Sequence, residues 1–218
     1  MKNKQVLIFD FDGTFYSGEK AFSKIPSYVN KHKREFLPNL TDKQYKQLVK
    51  ENHLWKEIYV GSDIVNFIYL FKKKYPQYKI SVKDFWNWQE SKPDPLVIDK
   101  DQIVDVNFLQ NLCESYPVYV VSNSSPKHIY FYMKKFKINP NWFKSIISNR
   151  FTLKDRTKQH YYKKIMLNEN CLPKNCYVFG DSLQNDLIPA QKLNMNTYLI
   201  NNAKNIPEVV TNALKNKQ

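Results

Sequence analysis

Val6-Leu7-Ile8-Phe9-Asp10-Phe11-Asp12-Gly13-Thr14 is the stretch on which the fold turns. Four apolar residues bounded by a polar turn read as a buried strand. The run ends in two carboxylates, and Asp12-Gly13 lets the chain turn sharply as it leaves the sheet. Clustered negative charge at a strand end is costly unless a cation sits there. Two blander readings exist: a strand with a polar end, and a calcium loop beginning Asp-x-Asp. An EF-hand loop follows a helix and wants a carboxylate or amide where Thr14 stands, which counts against the second.

Three further stations follow in order. Val118-Tyr119-Val120-Val121 is another strand-like run and ends in Ser122-Asn123. Next is a lysine-bearing stretch, Leu153-Lys154-Asp155-Arg156-Thr157-Lys158. Then Cys176-Tyr177-Val178-Phe179 stops at Gly180-Asp181, with Asp186 five residues on. In a parallel α/β sheet, polar stations that close apolar runs meet at the carboxyl ends of the strands, where such folds bind ligands. Ser124-Ser125-Pro126 reads as a capped helix start, and helix N-termini attract phosphate. The bland reading of Ser122 to Ser125 is a capped loop.

This ordered set resembles the haloacid dehalogenase superfamily of phosphohydrolases across the whole chain. The resemblance implies an α/β fold: a Rossmann-like parallel sheet core from residues 1–15 and 99–218, with an inserted helical cap domain over 16–98. It implies that Asp10 is the nucleophile and Asp12 the general acid, then base. Mg²⁺ would be held by the Asp10 carboxylate, the Asp12 backbone carbonyl and Asp181. Ser122 and the Asn123 N–H would bind phosphate. Thr14 would steady the loop and the Asp12 side chain. Asp186 would sit behind the metal ligands or orient a lysine, although it could instead cap the next helix.

The family also needs one lysine to balance nucleophile and phosphoryl group, and often carries it in a Lys-Pro-x-Pro segment that is missing here. Lys154, Lys158, Lys163 and Lys164 are the candidates. Thr157 can cap a helix running from about Lys158 to Leu167, which puts Lys158 at its entrance. Lys158 is therefore favoured over Lys154.

Residues 16–98 lack the strand–helix alternation of the rest. Helices are expected over Phe22 to Glu35, Asp42 to Ile58 and Ser62 to Lys74, with an aromatic segment at Asp84 to Trp88 and a return linker at Pro93-Asp94-Pro95. Trp55, Tyr59, Trp86 and Trp88 could stack on a base or sugar, or fill the interior of the insertion.

The net charge is +14 over 218 residues, which invites a nucleic-acid reading. No nucleic-acid-binding motif accompanies the basic runs Lys31-His32-Lys33-Arg34 and Lys72-Lys73-Lys74, and a field that attracts small phosphorylated substrates is the simpler use of the charge. Three cysteines, Cys113, Cys171 and Cys176, lack zinc spacing and form no disulfide framework, which suits a reducing cytosol. The first apolar run is too short for a signal sequence or membrane span. His32, His53, His128 and His160 show no metal-ligand pattern and receive no role.

The expected activity is a Mg²⁺-dependent cytoplasmic phosphatase acting on a small phosphorylated metabolite, a nucleotide or sugar phosphate. Asp12 disfavours the dehalogenating relatives, which lack an acid there. Phe22 stands where related sugar-phosphate mutases carry a histidine, and Ser17-Gly18 replaces the aspartate of many phosphoglycolate phosphatases. A mutase or phosphotransferase of the same fold, and a basic nucleic-acid-binding protein on this scaffold, are the alternatives.

Overall fold

Val6–Phe9 forms strand β1, and all four residues are completely buried. Their lack of polar alternation is what a strand covered by helices on both faces requires. The other strands are β2 (Val118–Ser122), β3 (Ser145–Ser148), β4 (Cys176–Gly180) and β5 (Asn196–Leu199). All pair in parallel, in the order β3-β2-β1-β4-β5. The three central strands are buried along their length, whereas the edge strands β3 and β5 are partly exposed. This is the α/β, Rossmann-like architecture expected from the sequence.

The computed structural model describes residues 4–17, 41–51, 73, 76, 98–148 and 158–215. The chain divides into two compact units, Met1–Lys20 with Ile98–Gln218, and Ala21–Val97. Within the second unit, helix α1 (Asp42–Glu51) is described. It starts with a reciprocal cap: the Thr41 N–H donates to Gln44 Oε1 (2.9 Å) and the Gln44 N–H donates to Thr41 Oγ1 (3.2 Å). The expected continuation to Ile58, the other expected helices apart from Lys73, and Trp55, Tyr59, Trp86 and Trp88 lie outside the described residues.

In the first unit the strands are separated by α2 (Val106–Ser115), α3 (Pro126–Lys135), α4 (Gln159–Glu169) and α5 (Ile188–Gln191), and α6 (Ile206–Lys215) ends it. Asp105 caps α2 through two backbone N–H groups, and Ser125 caps α3 with Pro126 in its first turn. Phe9 and Phe179 stack at 4.7 Å on neighbouring strands, so the core reaches directly beneath the strand ends. After β1 the chain makes one tight turn, with the Phe15 N–H donating to Phe11 O at 2.8 Å. Tyr16 then forms an antiparallel bridge with Ile103.

Strand order reverses at β1, since β2 lies to one side of it and β4 to the other. A crevice opens at such a point beyond the carboxyl ends of the strands. Asp10 and Asp181 immediately follow β1 and β4 there. No helix among the described residues is long and apolar enough to cross a membrane. Cys113, Cys171 and Cys176 are free thiols, and Cys171 and Cys176 lie 3.0 Å apart, sulfur to sulfur.

Candidate active site

Register alone brings the first two carboxylates together. Phe9 pairs with Phe179, and the Asp10 N–H continues the ladder by donating to Phe179 O at 2.9 Å. Asp10 therefore emerges beside Gly180-Asp181. Asp10, Asp181 and Asp186 each present a carboxylate oxygen within 4.8 Å of the others. Three hard oxygen donors at this spacing are suited to Mg²⁺ rather than to a softer metal.

The close approach needs two glycines. Gly13 has φ +78°, and a side-chain carbon there would collide with the Asp181 carboxylate. At Gly180 such a carbon would collide with Asp186. Gly13→Ala therefore adds a left-handed backbone penalty to a displaced carboxylate. It should lower stability by about 1–3 kcal/mol, as overpacking does. Urea denaturation checks this, and an unchanged midpoint would contradict it.

Lys158, completely buried but for 1% of its surface, closes the cluster. Its Nζ donates to Asp10 Oδ1 at 2.6 Å and to Asp186 Oδ1 at 2.5 Å. Lysine is almost never buried this deeply without such partners. It stands just ahead of α4, at the entrance expected for it, although no side-chain cap forms there. Lys163 and Lys164 are exposed on α4, and Lys154 and Thr157 lie outside the described residues. Asp186 is not a helix cap. It sits inside a single π-helical turn, Leu183–Leu187, whose cap is Ser182. Pro189 has no N–H to return to Asn185, so a regular α-helical bond is unavailable there. The Ser182 N–H donates to Asp186 Oδ2 at 3.0 Å, so both oxygens of Asp186 are engaged.

Among the described residues, the site sets one lysine against three carboxylates. Burial, then repulsion from Asp186, raises the Asp10 carboxyl well above its usual range, against the pull of Lys158. Asp181 is lifted to about 7, by its crowded surroundings and by Asp186. Its side chain is exposed in the described core, so repulsion carries more weight there than burial. Burial works against charge on Lys158, but Asp10 and Asp186 outweigh it and hold the ammonium protonated above its ordinary range.

Asp12 is turned away from this cluster. Its Oδ1 accepts from the Tyr16 hydroxyl and lies 2.7 Å from His128 Nε2. Its Oδ2 accepts from the Ser124 hydroxyl and, at 3.3 Å, from Ser122 Oγ. Burial alone would raise this carboxyl, but the His128 charge and the hydrogen bonds from His128, Ser124 and Tyr16 bring it down to about 2. Ser122 lies at the end of β2 with its hydroxyl on Asp12, and it accepts from the Ser124 N–H at 3.1 Å. Asn123 follows it, half-buried, on the same loop.

Two sequence expectations need correction. Thr14 does not steady the Asp12 side chain. It is fully buried, and its hydroxyl has no partner among the described residues. His128, given no role from sequence, contacts Asp12, as do Tyr16 and Ser124. The available signal was position: His128 is third in a helix that begins just beyond a strand end, and Tyr16 is four residues past Asp12 in a tight turn.

No curated protein matches the chain. Among solved structures it resembles the HAD-hydrolase YfnB from Bacillus subtilis, solved bound to magnesium, at 19% identity over 92% of this chain and 90% of that one, TM-score 0.51. A haloacid dehalogenase-like family hydrolase from Xanthomonas campestris matches at 13% identity over 99% and 95%, TM-score 0.55. A HAD phosphatase from Thermococcus onnurineus matches at 15% over 90% and 86%, TM-score 0.55. At such identities the likeness is one of fold. The family pattern for haloacid dehalogenase-like hydrolases matches residues 7–200, from β1 to just past β5, and so spans every strand end that carries a carboxylate or hydroxyl described above. The chain belongs to the haloacid dehalogenase-like hydrolases.

Proposed function

We propose that the protein is a Mg²⁺-dependent phosphatase that hydrolyses a small phosphorylated metabolite through an aspartyl-phosphate. The observation that carries this reading is the buried Lys158 bonded to both Asp10 and Asp186, with Asp181 alongside. A carboxylate that can serve as nucleophile, a fixed cation and the oxygen donors of Asp181 stand together beyond the ends of β1 and β4, which supports this reading. The magnesium-bound YfnB structure supports the choice of ion by analogy of fold.

A carboxylate oxygen of Asp10 attacks phosphorus, forming the new P–O bond as the bond to the leaving oxygen breaks. Asp12 gives that oxygen its proton, then takes one from the water that attacks the phosphoenzyme and releases inorganic phosphate. In the free protein Asp12 is ionised, and an incoming phosphate raises its proton affinity by like-charge repulsion. Lys158 keeps Asp10 oriented and offsets charge on the transferring group. Ser122 and the Asn123 N–H are assigned to the phosphate oxygens. Asp10, Asp181 and the Asp12 carbonyl would hold Mg²⁺, which when bound offsets repulsion between the anionic nucleophile and the anionic phosphate. The inserted segment, proposed as residues 16–98, is assigned the choice of leaving group, a nucleotide or sugar phosphate among the candidates.

The test is release of inorganic phosphate from p-nitrophenyl phosphate and a panel of nucleotides and sugar phosphates, with Mg²⁺ or with chelator. Release should require the metal. Full activity after exhaustive chelation, or none on any phosphomonoester, overturns the reading.

The metal also leaves a signature independent of turnover. Without it the folded protein keeps a proton on Asp181 up to about pH 7, whereas the unfolded chain loses it near the ordinary value of 3.8. Between those values the folded state binds more protons, so this group's contribution to stability falls as pH rises. Asp181 would give up that proton on holding Mg²⁺. Stabilisation by the metal should therefore be larger at pH 8 than at pH 5.5, reaching about 2.7 kcal/mol at a hundredfold excess over Kd. Thermal melts at both pH values check this, and equal shifts would contradict it.

A further inference from the structure

Asp12 is held on both oxygens, and the two sides differ in kind. On the Oδ2 side stand Ser122 and Ser124, one hydroxyl at the end of β2 and one on the loop after it, with Ser122 at a long 3.3 Å. Ser122 is also the hydroxyl assigned above to phosphate. When it turns to a phosphate oxygen, Oδ2 loses one of its donors. On the Oδ1 side stand Tyr16 and His128, which belong to a packed aromatic wall. The Tyr16 ring is completely buried, stacks on Tyr132 at 5.6 Å and meets Phe11 edge-on at 6.0 Å. The His128 ring lies 4.9 Å from Tyr132 and edge-on to Phe11 at 6.5 Å. Its backbone N–H donates to the Ser125 cap at 3.2 Å, which ties the ring to the first turn of α3. Rings set among rings move little, whereas a hydroxyl rotates freely to a new acceptor.

Resting on the phosphatase reading, we propose that His128 is a positioning residue: with Tyr16 it anchors Asp12 by Oδ1, reserving Oδ2 for the leaving-group proton and then for water. His128 touches neither substrate nor metal in this arrangement. It acts through Asp12 by fixing which oxygen faces the phosphate and at what angle. The charge-assisted contact at 2.7 Å is strong enough to hold the carboxylate once Ser122 is diverted. The arrangement also accounts for a buried tyrosine hydroxyl and a histidine converging on a carboxylate that lies outside the acidic cluster.

The experiment compares kcat/KM on p-nitrophenyl phosphate, whose leaving group needs little protonation, with kcat/KM on glycerol phosphate, whose alkoxide needs a proton. This parameter ends with transfer to Asp10, so the shared hydrolysis of the phosphoenzyme does not blur it. His128→Ala should lose on the order of 10- to 100-fold on glycerol phosphate, a part of the usual contribution of general acid catalysis, and several-fold less on the nitrophenyl ester. His128→Gln, which can place a side-chain N–H where Nε2 stands, should recover most of the loss. Tyr16→Phe keeps the stacked ring without the hydroxyl and should show the same substrate bias, more weakly. It serves as the second variant should His128→Ala fail to fold. Equal losses on both substrates, no loss, or no recovery in a folded His128→Gln would overturn the proposal. Wild-type protein that releases phosphate from neither these esters nor any phosphomonoester of the panel would instead overturn the phosphatase reading, and the proposal with it. Wild-type activity on both with no substrate bias in the variants would overturn the proposal alone.

Discussion

On the proposed reading, Asp10→Asn should remove turnover, by on the order of 10,000-fold or more, while the protein stays folded. An amide of the same shape fills the same place at the end of β1 but cannot attack phosphorus usefully. The fold is spared for a specific reason. Asp10 is one of three carboxylates crowded within 4.8 Å, and the other two lose a repulsive neighbour when its charge goes. Lys158 keeps Asp186 as its buried ion partner. The variant should therefore melt within a few degrees of wild type without metal, and bind Mg²⁺ more weakly because one anionic donor has become neutral. Steady-state phosphate release, with melts in and out of Mg²⁺, separates these effects. Near-normal turnover would show that another group carries the chemistry. A collapsed melt would show that the Asp10–Lys158 bond is structural first.

The parts of this site that the sequence made legible are those that follow from a strand ending. Asp10 and Asp181 could be placed together because two apolar runs stop at them, and parallel pairing leaves the carboxyl ends side by side. Lys158 could be chosen from its neighbours because a helix entrance faces the strand ends while later positions turn to solvent, as Lys163 and Lys164 do. The surroundings of Asp12 were not legible. Tyr16 and His128 are 112 residues apart and meet only because α3 packs against the turn after β1. Nothing in the local pattern of either segment announces that contact. Asp186 was half legible. Its spacing from Asp181 suggested a role, but a helix cap was an equally good local reading until the π turn placed it on Lys158. The aromatic residues of the insertion, on which a preference for nucleotides would rest, fall outside the described residues.

Lys158→Met should cost both activity and about 3–5 kcal/mol of stability, the scale for breaking a buried ion pair from one side. Methionine nearly matches the length and apolar stem of lysine, so the loss reads charge rather than a cavity. What remains is Asp10 and Asp186 facing each other with no cation between them. In wild type the Lys158 ammonium is held above its unfolded value of 10.5, so its contribution is fully present below that value and fades only in strong alkali. In the variant the sign belongs to the carboxylates. Without Lys158 the folded proton affinity of Asp10, already raised, rises further above the unfolded one, so the folded state holds a proton that the unfolded chain has given up near 4. The destabilisation should therefore be small near pH 3, where the Asp10 carboxyl is largely protonated in either state, and should grow as pH rises towards 8. Adding Asp10→Asn to Lys158→Met should return part of the lost stability, because only one buried carboxylate then lacks a partner. Urea denaturation of the single and double variants at pH 5 and pH 8 reads all three statements. A loss independent of pH would assign the effect of Lys158→Met to packing. A double variant less stable than Lys158→Met would mean that the two carboxylates do not repel each other across the site.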